Sequence, residues 1–183
     1  HKNCKRIRPC CLMSEIQYRM MPLPSLFLME TTVPDHMVTN INDYLDELMH
    51  QNDRISAAHT LVGQIGNGEQ LVMDHEDGRL AEFSQFLTSM GAEYISAFMA
   101  NTGQQLDGNR KVEMDELWSV HSYAGDYNPI HDHGTKTIMG VSCTTWTKVP
   151  EQILAQPAAG SESYNLYNAS GASDGYICFN YGQ

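Results

Sequence analysis

Beyond its first dozen residues the chain is short of positive charge. Its 183 residues include 11 Lys and Arg against 22 Asp and Glu. Four of those eleven, Lys2, Lys5, Arg6 and Arg8, sit in the opening HKNCKRIRPCCL. From Met13 onward seven basic residues face 22 acidic ones, a balance of −15. Nonspecific nucleic-acid binding needs basic surface to displace counterions, so no nucleic-acid partner is expected. Anionic membrane surfaces are disfavoured on the same ground. Cysteine is equally uninformative as a scaffold. Of five, Cys4, Cys10 and Cys11 lie in the opening stretch, and Cys143 and Cys178 stand far apart with no CxxC spacing. A disulfide framework is excluded, and a reducing, cytoplasmic compartment fits best. No apolar run approaches the ~18 residues a membrane helix needs. The longest candidate, PLPSLFLM from Pro22 to Met29, is short, interrupted, and reads as a buried strand.

What is present fits one globular domain. Hydrophobic residues make up 42% of the chain, enough to build a sizeable core at this length. Residues 1–12 differ so much in charge from the rest that they read as a leader or cloning scar, and MSEIQYRM from Met13 reads as a natural start. The alternative for that stretch is a basic arm that touches a partner. Residues 13–183 then form a single domain.

The first periodic segment is PDHMVTNINDYLDELMHQN. Met37, Val38, Ile41, Tyr44, Leu45, Leu48 and Met49 recur at helical spacing, with Pro34 and Asp35 suited to a first turn. His36 and His50 fall toward its polar side. A second helix follows the glycine-rich Gly63–Gln70, which lacks the Lys-Ser/Thr of a phosphate loop and reads as a hairpin or loop. Its inner stripe is Leu80, Phe83, Phe86, Leu87, Met90, Tyr94, Phe98 and Met99, and Gly103 is the expected stop. After Asn109 the period changes. KVEMDELWSVHSY alternates, with Leu117, Ser119, His121 and Tyr123 on one face and Trp118, Val120 and Ser122 on the other. KTIMGVSCTTWTKV, SYNLYNA and GYICFNYG are further strand candidates. A helical part over about 34–104 and a strand-rich part over about 110–183 predict an α+β or mainly β fold, with helices packed on an antiparallel sheet.

Chemistry gathers at YNPIHDHGTK. Residues i and i+2 of an extended chain project to the same side, so His131 and His133 present two imidazoles together. Two neutral imidazoles bind a first-row metal, while Asp132 points the other way. Pro129 disfavours a helix here and Gly134 lets the chain turn afterwards. His121 is an alternative ligand, sharing a strand face with Tyr123.

The run Tyr123-Ala-Gly-Asp-Tyr-Asn-Pro-Ile-His-Asp-His133 resembles the metal-binding strand of the Fe(II)- and 2-oxoglutarate-dependent oxygenases. It is most similar to a branch common in marine phages and bacteria. Trp118 precedes the motif and Met139-Gly140-Val141 and Val149-Pro150 follow it, so the likeness spans roughly residues 118–150. The resemblance implies a double-stranded β-helix, a cupin-like jelly roll buttressed by the N-terminal helices. It implies His131 and His133 as iron ligands and catalytic residues, the latter where the wider superfamily has an Asp, with Asp132 as the fallback carboxylate. Tyr123 would lie near 2-oxoglutarate, Tyr127 near substrate, and Asn128 would shape the turn or contact a ligand. The activity implied is a hydroxylase-type dioxygenase acting on a small molecule or peptide, in the cytoplasm of a bacterium or phage-infected host.

The family's distal His and its 2-oxoglutarate-gripping Arg or Lys have no match. No His follows His133, and only Lys136 and Lys148 are basic beyond it. The jelly roll is therefore expected to lack its C-terminal strands, a loss that leaves this chain inactive unless another group replaces the absent ligand, and to pair exposed edges in a homo-oligomer. Two other readings share the architecture. Gly125, five residues and His131-x-His133 fit the opening of a cupin motif, although its following Glu is absent. A non-catalytic jelly-roll binding or structural protein of phage origin fits the incomplete ligand set. A zinc hydrolase is the remotest, because HxHxDH and HExxH are absent.

Overall fold

The computed structural model describes residues 17–23, 26–105, 111–131, 133, 140–155, 177 and 179. The chain opens with an antiparallel hairpin of β1 (Tyr18–Leu23) and β2 (Leu26–Thr31), in a register that places Leu23 opposite Leu26 and Arg19 opposite Glu30. The sequence pattern had promised one buried strand from Pro22 to Met29. Instead the run is shared between two strands with two residues between them, the spacing of a tight hairpin. The Arg19 and Glu30 side chains meet across it at 2.9 Å.

Helix α1 (Asp35–His50) begins where Pro34 fixes the chain, and the Pro34 carbonyl accepts the backbone N–H groups of Met37 and Val38. Its buried residues are Met37, Ile41, Tyr44 and Leu48, four members of the predicted stripe. Strand β3 (Glu69–Val72) follows, then α2 (Ala81–Thr102), which stops at Gly103 with φ +66° as the glycine there foretold. Leu80, Phe83, Phe86 and Met90 turn inward. Strand β4 (Trp118–His121) then pairs antiparallel with β3, Glu69 opposite His121 and Val72 opposite Trp118. A single turn, α3 (Glu151–Leu154), starts at Pro150.

Helices and strands thus alternate along the chain, where helices were expected first and strands second. The reason is β3. Its four residues are too short and too close to Gly66 and Gly68 to stand out as a strand in sequence, yet it is hydrogen-bonded along both edges. Ala57 N–H donates to Gln70 and Val72 N–H donates to Ile55 along one edge, and β4 occupies the other. Residues 140–149, part of the expected KTIMGVSCTTWTKV strand, form no strand and are fastened to α1 instead. Asn42 Nδ2 donates to the Thr147 carbonyl at 3.0 Å, and Lys148 Nζ reaches Asp46 at 3.2 Å. SYNLYNA, and GYICFNYG apart from Ile177 and Phe179, lie outside the described residues. Among those described, strands occur as two two-stranded antiparallel sheets.

The core lies between α1, α2 and the inner face of β3–β4. It joins Met37, Ile41, Tyr44, Leu48, Leu71, Met73, Leu80, Phe83, Phe86 and Met90, with Leu117 and Met29 packed against it. Tyr94 donates its hydroxyl to the Phe27 carbonyl at 2.7 Å and Phe98 meets Phe27 edge-on at 5.6 Å, which ties the hairpin to α2. Arg79 crosses between the helices, bonding Asp77 and Glu47 and lying 4.9 Å above the Tyr44 ring. No helix among the described residues is long and apolar enough to cross a membrane.

Phe86 is wholly buried at the centre of this cluster. Phe86→Ala is expected to lower unfolding free energy by about 3–5 kcal/mol with an unchanged denaturant slope. Urea denaturation followed by far-UV circular dichroism measures it, and a loss under about 1 kcal/mol would mean that this cluster is not the core.

Candidate metal centre

The β3–β4 sheet has two faces, and they settle where the site residues stand. Glu69, Leu71, Ser119 and His121 share the face toward the helices, while Gln70, Val72, Trp118 and Val120 share the other, where Gln70 is buried beside Gly63. Ser119 is buried, and its hydroxyl lies 3.0 Å from His121 Nε2. Burial lowers the His121 pKa, helped by Lys148 and opposed by Glu69 and Asp46, so the ring is held neutral under the α1 side of the sheet.

The chain after β4 must return to bring the histidines back. The return starts with a tight turn in which Asp126 N–H donates to the Tyr123 carbonyl and Gly125 takes φ +93°, the position a type II turn reserves for glycine. The turn aims the Asp126 carboxylate into a cup of backbone donors. Tyr123 N–H lies 2.9 Å from one oxygen, and Gly66 and Asn67 N–H lie 2.7 and 3.1 Å from the other. These bonds, Tyr123 first and Gly68 among them, hold its pKa below the ordinary carboxylate value. The approach is close: a Cβ on Gly68 would sit 1.6 Å from the His121 carbonyl oxygen. Next, Tyr127 and Gln64 exchange two backbone hydrogen bonds, at 2.7 and 3.2 Å. Asn128 then lies over the 63–70 segment, its Oδ1 filling space that a Cβ at Gly63 would need.

This path sets His133 against the outward-facing Trp118, with ring centroids 6.4 Å apart and planes within 18°. The His131 and His133 rings lie 4.9 Å apart, and their Nε2 atoms are separated by 3.2 Å. His131 Nδ1 is 2.8 Å from the Pro129 carbonyl. A carbonyl only accepts, so Nδ1 carries the proton and the neutral ring keeps its lone pair on Nε2. Two nitrogens 3.2 Å apart, each about 2.1 Å from one cation, subtend about 100° there, between the octahedral and tetrahedral angles. With that lone pair, His133 Nε2–H is the donor of the 3.2 Å contact; the pair fits a shared first-row metal in donor type and spacing, and His131 in tautomer as well. Both histidines are exposed.

The other expected site residues are distributed differently. His121 is on the sheet face opposite the one that carries Trp118 and the pair, so it is not brought to them. Tyr123 is exposed and lines an open hollow of about 490 Å³ with Met49, Asn67, Gly68, Glu69 and Ala124, a set without either histidine. Tyr127 is placed by its backbone and its ring is exposed. Asp132 lies outside the described residues. Among the described residues no group of three His, Cys, Asp or Glu converges on a common point. Every described Arg and Lys is in an ion pair: Arg19 with Glu30, Arg54 with Glu69, Arg79 with Asp77 and Glu47, Lys111 with Glu113, and Lys148 with Asp46. The clasp at Asp126 and the stacking of Trp118 are what sequence reading missed. The Gly-Asp turn was visible, but its donors come from 60 residues upstream.

The depressed Asp126 pKa has a defined sign. Its stabilising contribution is complete above the unfolded carboxylate pKa near 4 and is lost as pH falls through the lower folded value. Asp126→Asn is expected to be less stable than wild type at neutral pH, with the difference shrinking as pH drops below about 4. Denaturation midpoints of both proteins across that range measure it; a difference that stays constant with pH would contradict the clasp. Compared with known proteins, the chain matches no protein-family model, no curated protein and no solved structure.

Proposed function

We propose that this chain is a non-haem Fe(II)- and 2-oxoglutarate-dependent dioxygenase of the hydroxylase type, built on a double-stranded β-helix and acting on a small molecule or peptide. One observation carries the reading: His131 and His133 converge through Nε2 at 3.2 Å, with the His131 tautomer fixed by the Pro129 carbonyl. The motif around them, from Trp118 to Pro150, supports it as a resemblance.

Bound iron with 2-oxoglutarate and dioxygen supplies hydroxylation of a C–H bond, one oxygen atom going to succinate as CO2 leaves and the other to the product. The residues of the chain hold and orient. His131 and His133 would occupy two adjacent positions and leave the remainder for co-substrates. The Pro129 carbonyl keeps His131 in the metal-binding tautomer, as outer partners of metal-bound histidines do. Tyr127 and Ile130, both exposed beside the pair in sequence, offer ring and apolar surface to a substrate. With every described cation already paired to a carboxylate, the 2-oxoglutarate tail would have to be gripped by a group outside that set, Lys136 among them.

Anaerobic addition of Fe(II) and 2-oxoglutarate tests the proposal. A weak visible charge-transfer band is expected in the wild type and is expected to be lost in His131→Ala and in His133→Ala. Metal uptake without that band would favour a cupin-type metal protein. A folded protein that takes up no Fe(II) would remove the oxygenase reading.

A further inference from the structure

The two histidines are not held in the same way. His131 has a hydrogen-bonded orienter on its own strand, the Pro129 carbonyl at 2.8 Å. Among the described residues, His133 has no backbone orienter: its Nε2 meets His131 Nε2 at 3.2 Å, and its ring lies beside Trp118 at 6.4 Å with an 18° tilt. A near-parallel pair at that centroid distance lies within the range of offset aromatic contacts. Such a contact restrains the plane of an imidazole without using its nitrogens.

Trp118 is well placed to give that restraint. It is the first residue of β4, directly opposite Val72. The carbonyl of its neighbour Leu117 accepts Met73 N–H at 2.9 Å, and Leu117 packs on the hydrophobic core. The next residue, Ser119, is buried. The indole therefore stands on a strand whose flanking residues are anchored in the core. Among the described residues, the ladder contact of the histidine segment is the Gln64–Tyr127 bridge. An exposed imidazole samples several rotamers, and ordering it opposes metal binding. A planar face already in position removes part of that cost.

We infer that Trp118 is a positioning residue for the imidazole pair: its indole holds His133 in the plane that directs Nε2 toward His131 Nε2. The inference rests on the reading of the pair as a metal site, but not on which metal or co-substrate it uses. A flat face is the working feature, so phenylalanine replaces the indole and leucine, of similar apolar character, does not.

Co(II) alone is the probe, followed by its visible absorption, with nuclear magnetic resonance of the metal-free protein as an independent measurement. Trp118→Leu is expected to weaken Co(II) binding by about tenfold or more, the scale of losing an outer partner of a metal ligand, and Trp118→Phe to restore most of it. In the metal-free wild type, the His133 ring protons are expected to be displaced from their unperturbed positions by the indole ring current. Two results overturn the inference: a folded Trp118→Leu that binds Co(II) within about twofold of wild type, against the tenfold expected, or His133 ring protons at unperturbed positions. The second needs no variant and stands even if Trp118→Leu fails to fold. A wild type that takes up no Co(II) overturns the metal reading instead, and a ring-current shift that persists there separates that failure from a misplaced Trp118.

Discussion

One carboxylate organises the approach to the site. Asp126 gathers backbone N–H groups from its own turn and from the glycine-rich 66–68 segment, which lies 60 residues upstream. Those N–H groups lie in tight turns, outside the regular β3–β4 ladder, and need an acceptor. An ionised side chain meets that need more strongly than a neutral one. Because the clasp closes, the chain leaving β4 turns back along the sheet. Because it turns back, Tyr127 reaches Gln64 and His133 reaches Trp118. The location of the imidazole pair follows from this sequence of contacts, although no residue in the clasp touches either ring.

The small β3–β4 sheet acts as a partition. Its inner face contributes Leu71 and buried Ser119 to the side that faces the helices, and keeps His121 there, neutral and half-buried. Its outer face carries Trp118 and the exposed Val72 and Val120. Two histidine environments result, one on the sheet's inner face and one beside its outer face. One ring is desolvated and bonded to a serine hydroxyl. The others are exposed and paired with each other, their Nε2 atoms 3.2 Å apart.

The acidic surplus has a structural use that composition does not reveal. Each described Arg or Lys meets at least one carboxylate, and several of these pairs bind one element to another: Arg54 to Glu69 on β3, Arg79 to Glu47 on α1, Lys148 to Asp46 on α1. Arg54 is bidentate, with both distances at 2.7 Å. Exposed pairs of this kind contribute little stability individually, so their effect is to select one arrangement of loops over others. They also leave the outer sheet face without a described free cation.

The amino-acid sequence by itself determined the two helices, their buried stripes, the stop at Gly103, the alternation through β4 and the side-by-side histidines. Each rests on a local period, 3.6 or 2, or on one residue's backbone preference, and such signals are written in neighbouring positions. Only the tertiary structure decided that Pro22–Met29 is divided between two strands, that four residues at Glu69–Val72 form a strand, and that residues 140–149 lie against α1. It alone separated His121 from the pair and gave His133 an indole to rest on. Those outcomes depend on partners tens of residues away, Asp126 with Gly66 and Trp118 with His133 among them, and contacts across such distances leave no period in a sequence.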